Sequence, residues 1–218
     1  KIIKFSRKAT SSAPLISINN NPVPVVDNCR ILGMIFDSRL NWKHHINTTK
    51  GYCLKQLNLI KTLSHFCWGA HENVLLTVYR SLIRSKIDYG CFIYMSASKN
   101  DLKLLDSVHN TALRLCLGAF RSSPQDSLYC ESNEPPLSLR RQHLLLSYVS
   151  TTSSNPTNPI YHLTTSIPDY SISNPSQRVI EPFPISLGRL LNTDLSLTLP
   201  IPSPVTPPWK HLPFIYTS

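Results

Sequence analysis

The sequence predicts an α+β fold that is mainly α: a small β-hairpin or sheet, then a bundle of about four helices, then an irregular proline-rich tail. Three observations predict it. Short β-branched segments separated by asparagine-rich turns occupy the first 36 residues. From Asn41 the apolar spacing changes to the 3.6-residue period of amphipathic helices. Prolines are unevenly divided, 6 before residue 151 and 12 after it. Charge follows the same division. Of 22 Lys/Arg and 12 Asp/Glu, residues 1–150 hold 19 and 9 and carry the whole net +10, while residues 151–218 hold 3 of each. At 41% hydrophobic and 16% charged, the chain is not a highly charged disordered polymer, and 218 residues suffice for one substantial core or two small domains.

Each element is justified in turn. KIIKF reads as a first strand. LISI at 15–18, the turn NNNP and VPVV at 23–26 read as a hairpin whose prolines, Pro22 and Pro24, place it at an edge. ILGMIF at 31–36 reads as an apolar strand in which Gly33 marks a bulge or a close approach of another backbone. Along 43–64, Ile46, Cys53, Leu57 and Ile60 fall on one helical face, with Lys43, Lys50 and Lys61 along its shoulder. A second helix, about 71–88, is expected to bury Val74, Leu75, Val78, Leu82 and Tyr79, with Arg80 and Arg84 four apart on one face. Ser98 and Asp101 form a capping box that opens a third helix through Leu102, Leu105, Val108, Ala112 and Leu115 to Gly118. A fourth follows Pro136, with Leu137, Leu144, Leu145 and Tyr148 as its apolar positions. The linker between these two has room for a short helical turn. After Ser150 the composition is that of a linker and an extended chain. The expected domains are thus 1–40, 41–150 and 151–218.

The chain opens without an initiator Met or a signal-peptide pattern and has no apolar run near the roughly 18–20 residues of a spanning helix. A soluble, intracellular protein, nuclear or cytoplasmic and without a membrane partner, is the expectation. Starting on a strand is what a piece of something longer would do, although a misplaced reading-frame boundary would do the same. Six cysteines lack the paired spacing of a metal or disulfide framework, which favours reduced structural thiols. A zinc site drawn from His65, Cys67, His71 and Cys91 is the rival reading. No Gly-rich phosphate loop, G-x-S-x-G or H-E-x-x-H occurs, and no acidic pair is close enough in sequence to suggest a two-metal site. Asp37 reads as a turn or helix cap, not a base. Catalytic residues, metals and cofactors are therefore expected to be none in this chain.

Five segments carry a resemblance: ILGMIFDSRLNWKHHI at 31–46, CLKQLNLIKTLSHFCWGA at 53–70, LLTVYRSLIRSKIDYGCFIY at 75–94, LDSVHNTALRLCLGAFRSSP at 105–124 and ESNEPPLSLRR at 131–141. In order and spacing they resemble the C-terminal part of the reverse transcriptase of non-LTR retrotransposons, especially the jockey-like mobile elements of arthropods. The resemblance implies that residues 1–40 are the last palm strands of an RNA-directed DNA polymerase, with Leu32 and Gly33 like its primer grip. It implies that the helices are its thumb, and the tail a link toward a ribonuclease H domain. The family's paired aspartates, its Mg²⁺ and its fingers would belong upstream of Lys1, so this chain alone is expected to be inactive. The implied partners are an RNA template and DNA primer duplex and the parent's upstream fingers and palm. Lys43, Lys50, Lys61, Arg80, Arg84 and Lys86 are the candidates for phosphate contact. For each, an ordinary solvated helix face is the competing reading. Trp42 and Trp68 read as core or staple residues before base-stacking ones, and Arg140 and Arg141 serve either RNA or an interdomain surface. A decayed or domesticated helical nucleic-acid-binding or protein-interaction module is the alternative function.

Overall fold

The computed structural model describes residues 1–5, 16–65 and 69–161. The expectations for Leu15, Cys67, Trp68 and the tail beyond Tyr161 lie outside the described residues. The chain divides into two compact units, Lys1–Leu144 and Leu145–Ser218. The described part of the first is an α+β, mainly α fold in which two small hairpins precede a helical bundle.

Strands β1 (Ser17–Ile18) and β2 (Asn21–Pro22) pair antiparallel across Asn19 and Asn20, whose φ angles of 51° and 61° are those of a tight primed turn. The strand expected at 23–26 does not form. Pro24 has no N–H to give a ladder, and Val25 instead makes a parallel bridge with Ile2, the one strand-like contact of KIIKF among the described residues. The apolar run 31–36 is likewise not one strand. β3 (Asn28–Ile31) and β4 (Met34–Asp37) are antiparallel neighbours, and Leu32 and Gly33, with φ of 49° and 84°, are the turn between them. Gly33 takes the positive φ without cost. Leu32 takes it with strain.

Asp37 ends β4 and turns the chain into the bundle. Its two carboxylate oxygens accept the N–H groups of Asn41 (2.9 Å) and Trp42 (3.0 Å), the capping role expected of it. Trp42 enters α1 (Lys43–Leu63) in the left-handed conformation with its indole buried and its N–H donated to Ser96 Oγ at 3.1 Å. It is a core residue. Ile46, Cys53, Leu57 and Ile60 of α1 are buried as the period requires, joined by His45 and Thr49.

Helix α2 (Glu72–Tyr79) runs into a π-helical segment (Arg80–Arg84) and then α3 (Ser85–Asp88). Its buried face is Leu75, Leu76, Tyr79, Ile83 and Ile87; Val74 is 52% exposed, and Val78 and Leu82 are only partly covered. Leu75 and Tyr79 are buried as expected, but Val74, Val78 and Leu82 give way to Leu76, Ile83 and Ile87. An α-helix would let a stripe of every fourth residue drift around its surface, but i→i+5 turns accommodate one more residue per turn and keep positions 75, 79, 83 and 87 in line.

Gly90 (φ 64°) breaks the chain before the single turn α4 (Cys91–Tyr94). Helix α5 (Lys99–Leu117) starts on the predicted Ser98–Asp101 box and stops at left-handed Gly118. It packs against α1 and α2, burying Leu105, Val108, Ala112, Leu113 and Cys116. The following linker holds a full helix, α6 (Gln125–Ser132), and α7 (Leu137–Ser153) completes the described elements. Of the second unit, the end of α7 is described, with Leu145 and Val149 buried, followed by turns at Asn155 and Asn158. Among the described residues no helix is long and apolar enough to cross a membrane.

The five described cysteines are free thiols. Burial raises Cys53 and Cys91 to about 11 and Cys116 to about 12, so these three are protonated and unreactive at neutral pH, as structural thiols are.

Two of the buried polar groups are the centres of side-chain clusters. Glu134, 2% exposed, follows α6 and receives Arg80 Nε at 2.6 Å and Arg84 Nη1 at 2.7 and 2.8 Å. Arg80 also donates to the Ser132 carbonyl. Asp88 extends the cluster, accepting from Arg140 at 2.9 and 3.2 Å and lying 3.9 Å from Arg84. The other group, His109 on α5, lies beside Tyr79 (O–Nδ1 2.5 Å) and under the stacked ring of Tyr129, and its Nε2 has no hydrogen-bond partner among the described residues. Burial, reinforced by Arg141 and Arg84 and opposed by Glu134, lowers His109 to about 4.

Two outcomes follow from these groups. Glu134→Gln leaves two guanidiniums with half their partner and should lower unfolding free energy by about 3 kcal/mol, read as the urea midpoint at pH 7.5. His109 is neutral when folded, whereas its unfolded form takes up a proton near pH 6.5. Stability is therefore complete above pH 6.5 and falls as pH drops toward 4, by up to about 3 kcal/mol. His109→Gln should flatten that fall when urea midpoints are compared between pH 7.5 and 4.5.

Candidate nucleic-acid interface

The basic residues singled out in the sequence separate into three groups. Arg80 and Arg84 point into the Glu134 cluster, where with Arg140 they form three guanidiniums around two carboxylates. Arg141 is buried and faces Asp106 at 3.7 Å. These arginines hold helices together. Lys43, Lys50 and Lys61 are placed differently. Lys43 and Lys61 stand exposed at the two ends of α1, with Lys50 half-exposed between them. At 1.5 Å per residue the lysines span about 27 Å. Among the described residues none of the three has a carboxylate within ion-pairing distance.

Lys86 belongs to a third place. It lies in an open cleft of about 300 Å³ between the β3–β4 turn and the π-helical segment, lined by Gly33, Tyr52, Ser81, Ser85, Lys86 and Tyr89. Its Nζ is 5.6 Å from the centre of the Tyr52 ring and 5.9 Å from that of Tyr89, within cation–π range of both. Tyr89 also donates its hydroxyl to the Leu32 carbonyl. The fold thus brings Leu32, Gly33 and Lys86 together at one cleft. Ser81 and Ser85 donate their hydroxyls within the helix, to Val78 and Ser81 carbonyls, so Lys86 supplies the cation of the cleft.

The positive charge extends behind the hairpin. His45 accepts the Ile35 N–H on Nδ1 at 3.3 Å, which requires an unprotonated ring. Burial first, then Lys86, Arg30 and His44, lower its pKa.

Tyr52, Tyr89 and Glu134 were not found from the sequence. Tyr52, on α1, and Tyr89, just after α3, are 37 positions apart, and no local pattern joins them. The signal for Glu134 was weak but present: two arginines at i,i+4 need a carboxylate somewhere, and the acids of this chain are few.

The donor sets for a metal are not assembled. Among the described residues no group of three or more His, Cys, Asp or Glu is placed to hold an ion. Asp37 holds the turn before α1, Asp101 accepts the hydroxyl of Ser98, the N-cap of α5, and Asp88 and Glu134 are bound by guanidiniums. These residues do not fit the two-ion site of a polymerase, and no step is assigned to Mg²⁺ in them.

No family model matches the chain, and no solved structure matches it. Among curated proteins it is 24% identical over 110 residues to the "probable RNA-directed DNA polymerase from transposon X-element" of Drosophila melanogaster. The match takes in 48% of this chain but 12% of that protein, so the chain spans about an eighth of its length. The chain therefore shows a distant and partial similarity to a transposon polymerase.

Proposed function

We propose that this chain is part of the RNA-directed DNA polymerase of a non-LTR retrotransposon and contributes binding of the primer–template duplex without the catalytic aspartates. Residues 1–40 act as the edge of the palm, with Leu32 and Gly33 near the primer end. Residues 41–150 act as a thumb against the duplex, and 151–218 link onward. RNA template, DNA primer and the parent's own fingers and palm are the partners, and Mg²⁺ belongs to that upstream palm.

The observation that carries this reading is the division of the basic residues. Arg80, Arg84, Arg140 and Arg141 are committed to carboxylates, while among the described residues Lys43, Lys50 and Lys61 have no such partner and line one helix. Phosphates repeat along a duplex, so a rigid row of ammonium groups can meet several of them without reading sequence. Arg80 and Arg84 contribute through the positive charge their cluster leaves over. The distant similarity to a transposon polymerase supports the same reading.

The test is fluorescence anisotropy of the 218-residue chain with a labelled RNA–DNA hybrid between 50 and 200 mM salt. Contact with about four phosphates should weaken binding about a hundredfold over that range, indifferent to sequence. Lys43→Gln, Lys50→Gln and Lys61→Gln together should reduce the slope of log K against log salt by about 3. Absence of binding at 50 mM, or a slope untouched by the triple substitution, would overturn the proposal.

A further inference from the structure

The cleft beside the β3–β4 turn has a composition that contact with a duplex backbone does not require. Phosphate contact needs cations alone. Here one ammonium group lies between two tyrosine rings that remain 41% (Tyr52) and 50% (Tyr89) exposed. The turn above them is held in place rather than free. Tyr89 anchors the Leu32 carbonyl, and Gly33 lies so close to the Tyr89 ring that an added Cβ would meet Cε1 at 3.4 Å. Beyond that anchor the Leu32 side chain stands 85% exposed in a strained backbone conformation. The cleft therefore offers flat aromatic surface, an apolar tip and one positive charge, on rigid elements and open to solvent.

From this geometry we propose that the cleft takes one unpaired nucleotide of a nucleic-acid strand, its base against Tyr52 and its phosphate on Lys86. The inference rests on the nucleic-acid reading above and adds a preference that the lysines of α1 do not supply. An acidic peptide would use Lys86 and leave the rings idle. A base inside a duplex has both faces covered, so only a single-stranded end or extension can present one to a ring. The openness of the cleft suits a strand passing through it, where an isolated small molecule would need enclosure. Stacking on tyrosine is tolerant of base identity, so the site selects for unpaired structure and not for sequence.

The experiment compares the 218-residue chain on a blunt RNA–DNA hybrid and on the same hybrid with a three-nucleotide single-stranded extension carrying 2-aminopurine. The extension should tighten binding about tenfold and the 2-aminopurine fluorescence should be quenched on binding. Tyr52→Leu should abolish the difference while keeping the blunt affinity, and Tyr52→Phe, which keeps the ring, should retain it. Quenching in the unaltered chain decides the matter even if Tyr52→Leu fails to fold. Equal affinities, with normal binding of the blunt hybrid, would overturn this inference and leave the duplex reading standing. No binding of either hybrid would overturn both. Retention of the difference in folded Tyr52→Leu, or displacement by polyglutamate as effective as by a single strand of equal charge, would also overturn it.

Discussion

A carboxylate buried as deeply as Glu134 must be paired, because an isolated interior charge costs several kcal/mol. Glu134 finds both its partners, Arg80 and Arg84, on the π-helical segment. That segment, with Ser85 at the start of α3, then has three separate obligations. Arg80 and Arg84 face the carboxylate, Ile83 faces the core, and Ser81 and Ser85 face the cleft. Rotating the segment would expose Ile83 and strand a buried charge in the same motion. The position of Lys86, just beyond it, is thus set by a cluster that never touches the cleft.

Much of the fold was legible because local chemistry decides it. The Asn19 and Asn20 turn, the capping box at Ser98 and Asp101, the stop at Gly118 and the buried face of α1 each depend on residues within one turn or one hairpin. What escaped local reading depends on distance. Leu32 and Gly33 are flanked by apolar residues on both sides, so the turn between β3 and β4 looks like the middle of a strand. Helix α2 carries two adjacent apolar stripes, and only the π turn chooses between them. The lysine row of α1 follows from a 3.6-residue period, whereas the cleft needs three segments of chain to meet.

The net charge of +10 overstates what faces solvent. A good part of the arginine complement is used inside the fold, where it matches the few acids available, and Arg141 is itself buried. Along α1, what remains for a polyanion is carried by lysines, whose compact ammonium groups and flexible stems suit repeated, non-selective contact better than directional recognition. A body can be strongly basic and still present a modest, well-placed field.

The meeting of the hairpin and the bundle is reciprocal. Gly33 lies under the ring of Tyr89, and Gly90, the next residue, lies under the side chain of Met34, where an added Cβ would come within 2.7 Å of Sδ. Each dipeptide thus supplies one gap and one filler, and each glycine also occupies a left-handed backbone position. Neither half can drift alone over evolutionary time. A side chain gained at 90 would demand a shorter residue at 34, and one gained at 33 would touch the Tyr89 ring from a strained left-handed backbone. Two short stretches 57 positions apart are therefore inherited as one part.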